Sequence, residues 1–331
     1  MGIRLVSFLV VSIFLVSGVV SVTGNTKNLT AQDTYVLQTS DIGADLSGKT
    51  VGIYESYSPS DPIINESRTA LVNMFTWMNA SVIEFNTSEL LNGVLWACEI
   101  LAIPEGLGPL IENELTDAGE QAVREWVACG GSYIGVRGSA SITVTDSYFE
   151  HVNSTFDLGL INGTSIEVTD LPAEVMTNVS INRDCIGPDL SDMPENLSVL
   201  FETGRYFVPH QGQNIICIAN YTHRNLPAII AAEYGEGNVF ISSPHFEYEE
   251  NSDRDGTEYM DEYDDPDSEW PLLLTIARWL VDSSPTVANV TEWPSTNTTD
   301  TGFQSPHEFI AIGGGLGVVI ILAIVIVAKR R

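Results

Sequence analysis

Residues 100–136 read ILAIPEGLGPLIENELTDAGEQAVREWVACGGSYIGV. Ile100–Pro104 is a short apolar run ending in a Glu105-Gly106 turn. It reads as a buried strand, because both faces are apolar and the run is too short for a helix. Asp117 and Glu120 then give a capping-box-like start to a helix whose Val123, Trp126 and Val127 share one face. Cys129-Gly130-Gly131 stops that helix, and Ser132–Val136 returns as a strand. A buried strand, an amphipathic helix and a second buried strand form a βαβ unit, the building block of a parallel sheet.

Working outward, the unit repeats upstream. Thr50–Glu55 and Ser81–Phe85 read as strands, and Asn65–Met78 between them places Ala70, Leu71, Met74, Phe75 and Met78 at helical spacing. Downstream the character changes to short β-like segments at 158–168, 197–202, 214–220, 228–234 and 238–242. An amphipathic helix over Trp270–Val281 closes the domain. The expected fold is a three-layer α/β domain, flavodoxin-like, with a mostly parallel sheet over residues 48–283.

The two ends point to export. An uncharged apolar run from Leu5 to Val22 follows Arg4, the pattern of a signal peptide over residues 1–24; an uncleaved anchor is the alternative. Residues 25–47 form an N-terminal extension. Residues 309–328 carry no charge and are followed by Lys329-Arg330-Arg331. As a helix they span about 30 Å, the hydrocarbon thickness of a bilayer. The basic end at 329–331 is expected in the cytoplasm and the ectodomain outside the cell. Residues 284–308, rich in Ser, Thr and Pro, form a stalk. The membrane is thus the first expected partner.

The formal net charge is −30, with only 14 Lys and Arg against 44 Asp and Glu. Such a chain offers no positive stripe for phosphates, which excludes a nucleic-acid partner. Eleven Asn-x-Ser/Thr sequons, from Asn28 to Asn297, suit a glycosylated surface. Cys98, Cys129, Cys185 and Cys217 are even in number and would meet an oxidising medium. Three connectivities exist. Cys98 and Cys129 both precede successive parallel strands, which favours pairing them and leaves Cys185 with Cys217.

Three landmarks carry a family resemblance: Ile103-Pro104-Glu105-Gly106; Gly130-Gly131 followed by Ser132–Val136 and Arg137-Gly138-Ser139-Ala140; and Gly235-x-Gly237 followed by Val239–Ser243 and Pro244-His245-Phe246-Glu247. In order and spacing they resemble the class I glutamine amidotransferase-like superfamily. Arg205-Tyr206-Phe207 with Ala228-Ile229-Ile230 is similar to its biotin-protein ligase N-terminal branch. The resemblance implies a strand-to-helix elbow holding a Cys nucleophile, a His that activates it and a carboxylate that orients the His. His245 and Glu247 match the last two. The nucleophile position holds Arg137, and a guanidinium has no lone pair to attack with. Glu105 stands where the family has a glycine for its oxyanion hole.

Two readings of Arg137 stay open. With Glu105, Gly106, Gly138 and His245 it forms a site for a small anionic ligand, or it pairs with Glu105 or Glu247 and fills the old pocket. The leading functional expectation is a non-catalytic ectodomain that binds such a ligand or another surface protein. A hydrolase in which His245 activates water is the alternative. A third reading needs no cofactor except calcium: Asn251, Asp253, Asp255, Thr257 and Glu262 match a twelve-residue calcium loop, in a calcium-stabilised component of the cell envelope. A solvated acidic loop explains the same residues, since Glu247–Glu269 holds twelve carboxylates and one Arg.

Overall fold

The strands at Thr50–Tyr54, Ile100–Ile103 and Ser132–Val136 are buried on both faces, so each needs a helical layer above and below the sheet. In the computed structural model, which describes residues 45–55, 62–249, 253–263 and 267–283, the chain supplies both. The elements run β1 (Thr50–Tyr54), α1 (Pro62–Trp77), β2 (Ser81–Phe85), α2 (Thr87–Leu91), β3 (Ile100–Ile103), α3 (Gly108–Ala128), β4 (Ser132–Val136) and α4 (Gly138–Thr143). Then follow β5 (Val144–Phe149), β6 (Val152–Thr155), β7 (Ile161–Glu167), β8 (Glu174–Ile181), β9 (Asn196–Glu202), β10 (Arg205–Pro209), β11 (Ile216–Tyr221), β12 (Leu226–Tyr234), β13 (Gly237–Ser242) and α5 (Trp270–Ser283). The expected leader at 1–24, stalk at 284–308 and span at 309–328 lie outside the described residues. Among those described, no helix is long and apolar enough to cross a membrane.

Nine strands form one sheet in the order β2-β1-β3-β4-β13-β12-β11-β8-β9. Period-2 alternation divides its side chains between two cores. Ile100, Ala102, Ile134, Val136 and Phe240 face α1 and α5, packing with Leu71, Phe75, Leu273 and Ile276. Leu101, Ile103, Tyr133, Val239 and Ile241 face α3, packing with Ile111, Val123, Trp126 and Val127. This is the expected three-layer sandwich.

The expectation of a mostly parallel sheet needs correction. The pairs β1–β2, β1–β3, β3–β4 and β4–β13 are parallel. From β13 outward, β12, β11, β8 and β9 pair antiparallel. Short connections such as Gly235-Glu236 between β12 and β13 can only make hairpins, because a parallel return needs a crossover of a dozen residues or more. A separate four-stranded sheet, β10-β7-β5-β6, was not anticipated.

The structure also moves one helix start. Within α3, Thr116 breaks the helical path at φ 64° and ψ 160°. Its hydroxyl accepts from the Gly119 backbone N–H at 3.4 Å, so Thr116 caps the second segment one residue before Asp117.

Candidate functional site

The carboxyl ends of β3, β4, β9 and β13 converge, and the site is built there. β4 ends at Val136, and Arg137 turns the chain into α4 at φ 50° and ψ −101°, a strained conformation for a residue with a Cβ. Two devices hold the turn. The Arg137 N–H donates to the Ser242 carbonyl of β13 at 2.8 Å. The Ser139 hydroxyl accepts from the Val136 N–H at 2.7 Å and lies 2.7 Å from the Ile103 carbonyl. Gly138 is required on steric grounds: a Cβ there would overlap the Gly106 carbonyl oxygen. The two glycines of the expected ligand cradle thus press backbone to backbone.

The Arg137 side chain is fully engaged. One terminal nitrogen forms an ion pair with Glu105, and the other contacts Glu202 at 3.2 Å and the Thr203 hydroxyl. Its Nε donates to the Glu202 carbonyl at 2.7 Å. The Arg137 side chain is 19% exposed, whereas those of Glu105 and His245 are 2% and 0% exposed. Of the two readings left open by the sequence, the geometry has Arg137 paired with Glu105, with its donors spent inside the protein. Glu247 is not its partner.

His245 follows β13 and is fixed by its N–H to the Leu200 carbonyl of β9 at 3.0 Å. Its Nδ1 lies 2.9 Å from Glu247 Oε1. A carboxylate only accepts, so Nδ1 carries the proton in the neutral ring. Glu247 is held further by the Ser67 hydroxyl at 2.7 Å and the Phe246 N–H at 3.0 Å. Burial would raise the Glu247 carboxyl, but His245 and Ser67 outweigh it and keep it below its ordinary value. Burial pushes the His245 imidazole down, and the carboxylates of Glu247 and Glu202 more than reverse that. Glu202 behaves alike: burial opposes its charge, yet His245, Arg137 and the Tyr259 hydroxyl at 2.8 Å hold it at about 2.

The far nitrogen, His245 Nε2, points between two carboxylates, 3.3 Å from Glu105 Oε2 and 3.5 Å from Glu202 Oε2. Neither Nε2 nor Glu105 Oε2 has a hydrogen-bond partner. The Glu105 N–H, where the family resemblance implies an oxyanion hole, donates to Ser67 Oγ at 3.0 Å.

The structure brings Arg137, Glu105, His245 and Glu247 together, and adds Ser67, Glu202 and Tyr259, which the sequence did not single out. Glu202 ended a recognised β segment, and an acidic residue closing a buried strand was its available signal. Ser67 gave none.

The calcium template fares differently. Asn251 lies outside the described residues. Asp255 is buried and binds its own loop, accepting from the Glu249 N–H at 3.0 Å and the Thr257 N–H at 2.9 Å. Burial raises its carboxyl to about 6. Thr257 is buried while Asp253 and Glu262 are exposed. Among the described residues, these acids do not gather into a ligand cluster.

The expected disulfides are absent: all four cysteines are free. Cys98 Sγ turns onto Gly52 of β1, on the far side of β3 from the strand that Cys129 precedes. Cys185 and Cys217 direct their thiols to the Pro188 carbonyl at 3.3 Å and to Asn220 Oδ1 at 3.2 Å.

Among solved structures the chain is similar to a ThuA-like protein from Bacteroides uniformis. The two share 11% identity over 75% of this chain and 97% of that one, with a TM-score of 0.49. It is also similar to a glutamine amidotransferase (14% identity, 70% and 97% coverage, TM-score 0.45). A β-galactosidase from Bacillus circulans sp. alkalophilus matches over 70% of this chain and 30% of its own, at 13% identity and TM-score 0.41. No protein-family model and no curated protein matches the sequence.

Proposed function

We propose that this chain is a non-catalytic, amidotransferase-like recognition ectodomain, exported and tethered by residues 309–328. The observation that carries the reading is the fate of the elbow. Its strained backbone at Arg137 is kept, but the side chain it presents is a guanidinium locked between Glu105 and Glu202. The Ser139 hydroxyl is committed to Val136 and Ile103, so it offers no replacement nucleophile. The Glu105 N–H is taken by Ser67. With Arg137 saturated, recognition belongs on the outer surface, toward another surface protein. Seven of the eight described sequon asparagines, Asn65 through Asn196, are exposed and Asn220 is half-buried, a distribution that supports glycosylation.

The test has two arms. Membrane-impermeant biotinylation of intact cells should label the folded domain but not the basic end at 329–331. The purified full chain should hydrolyse glutamine and simple esters no faster than its His245→Ala variant. Turnover that disappears in His245→Ala would replace this reading with the hydrolase.

A further inference from the structure

Glu105, Glu202 and Glu247 bring three negative charges into a nearly water-free site, and Arg137 returns one positive charge. Whether His245 is neutral or charged, the site stays negative, and buried charge persists only when paired or bound to a metal. At the centre of this imbalance lie the two atoms without hydrogen-bond partners, His245 Nε2 and Glu105 Oε2, facing one another at 3.3 Å. Two carboxylate oxygens aimed at Nε2 call for a positive centre between them, which a proton on Nε2 or a bound cation supplies.

We propose that Glu105, Glu202 and His245 bind one divalent cation of the zinc class. The three ligand atoms lie within 4.8 Å of one another. Ligands at 2.0–2.1 Å from a tetrahedral ion stand about 3.3 Å apart, and Nε2 lies 3.3 and 3.5 Å from its two carboxylate neighbours. One imidazole and two carboxylates form a donor set that zinc accepts.

The surroundings match what such a ligand set needs. Glu247 accepts the Nδ1 proton of His245, which fixes the tautomer that leaves Nε2 free for a metal. Tyr259 donates to Glu202, and Arg137 holds Glu105 and Glu202 from the more exposed side. Two added positive charges bring the site to neutrality. Neither the export of the chain nor its lack of a nucleophile enters this assignment, so it stands or falls apart from the recognition reading.

The experiment is elemental analysis of the tag-free full chain, purified in detergent without chelator, before and after dialysis against a strong chelator and then zinc. One equivalent of metal is expected, lost on chelation with a fall of several degrees in Tm and restored by zinc. Glu105→Gln and His245→Gln should each abolish stoichiometric loading. Glu247→Gln should weaken affinity by about 10–100-fold, and Glu120→Gln, a buried acid elsewhere, should load normally. Should a ligand variant fold poorly, cobalt(II) added to the stripped wild-type chain gives an independent readout, an absorption band of tetrahedral intensity. A wild-type chain that takes up no zinc or cobalt, or whose uptake survives the Glu105→Gln/His245→Gln double change, overturns the assignment.

Discussion

Arg137, in the turn after β4, reaches across to form an ion pair with Glu105 from the turn after β3, and this pair closes the site from above. The strained turn after β4 thus presents a counter-ion to the site. Breaking one side of a buried pair leaves the other charge uncompensated, at a cost of about 3–5 kcal/mol. Arg137→Ala should therefore lower stability by that order in urea unfolding of the full chain. Arg137→Lys should recover only part of it, because a point charge cannot serve Glu105, Glu202 and Thr203 at once. An alanine variant that unfolds at the wild-type urea midpoint would show that the carboxylates do not depend on Arg137.

The elbow also depends on a backbone contact. Any Cβ at residue 138 collides with the Gly106 carbonyl, which is backbone and has little freedom to move. Gly138→Ala should cost about 3 kcal/mol or more, at the upper end of overpacking effects. Its Tm measures this directly. A drop of a degree or less would mean that the β3 and β4 turns separate easily.

How much of this could be read in advance follows from where each interaction comes from. Strands β1 to β4 and helix α1 were legible because apolar periodicity is local, and Ser81–Phe85 and Ser132–Val136 match residue for residue. The convergence of Arg137 with His245 was legible because both close neighbouring parallel strands. Glu202 and Tyr259 were not, since β9 reaches the site through a β-bridge between Leu200 and His245 that no local pattern announces. Pairing Cys98 with Cys129 failed for a similar reason: sequence position placed both before adjacent strands but did not give the direction of either side chain.

That direction has a chemical consequence. Cys98 is buried against Phe85 and Gly52, and burial, with Glu99 nearby, pushes its thiol up to about 12. Thiolate is the reactive form. In native alkylation followed by mass spectrometry, Cys129, Cys185 and Cys217 should be modified well before Cys98, and all four after unfolding without reductant. Early labelling of Cys98 would contradict its placement in the core.

Glu120 sits on α3 with Oε1 unpartnered and Arg124 only at 3.9 Å from Oε2. Burial is the main cause that raises its carboxyl to about 7; Glu112, Asp157 and Asp117 add to it, and Arg124 opposes it. The folded state therefore holds this proton more tightly than the unfolded chain, whose carboxyl keeps the ordinary value of 4.5. Stability from this group grows as pH falls from about 7 toward 4.5, and above pH 7 the buried charge is a net cost. At about 1.4 kcal/mol per pKa unit, the rise from 4.5 to about 7 sets an upper bound of about 3.5 kcal/mol. Glu120→Gln, which carries no charge to bury, should gain about 1–3 kcal/mol relative to wild type between pH 4.5 and pH 8, followed by urea unfolding at both. A difference between the two proteins that stays constant across that range would mean that Glu120 reaches water.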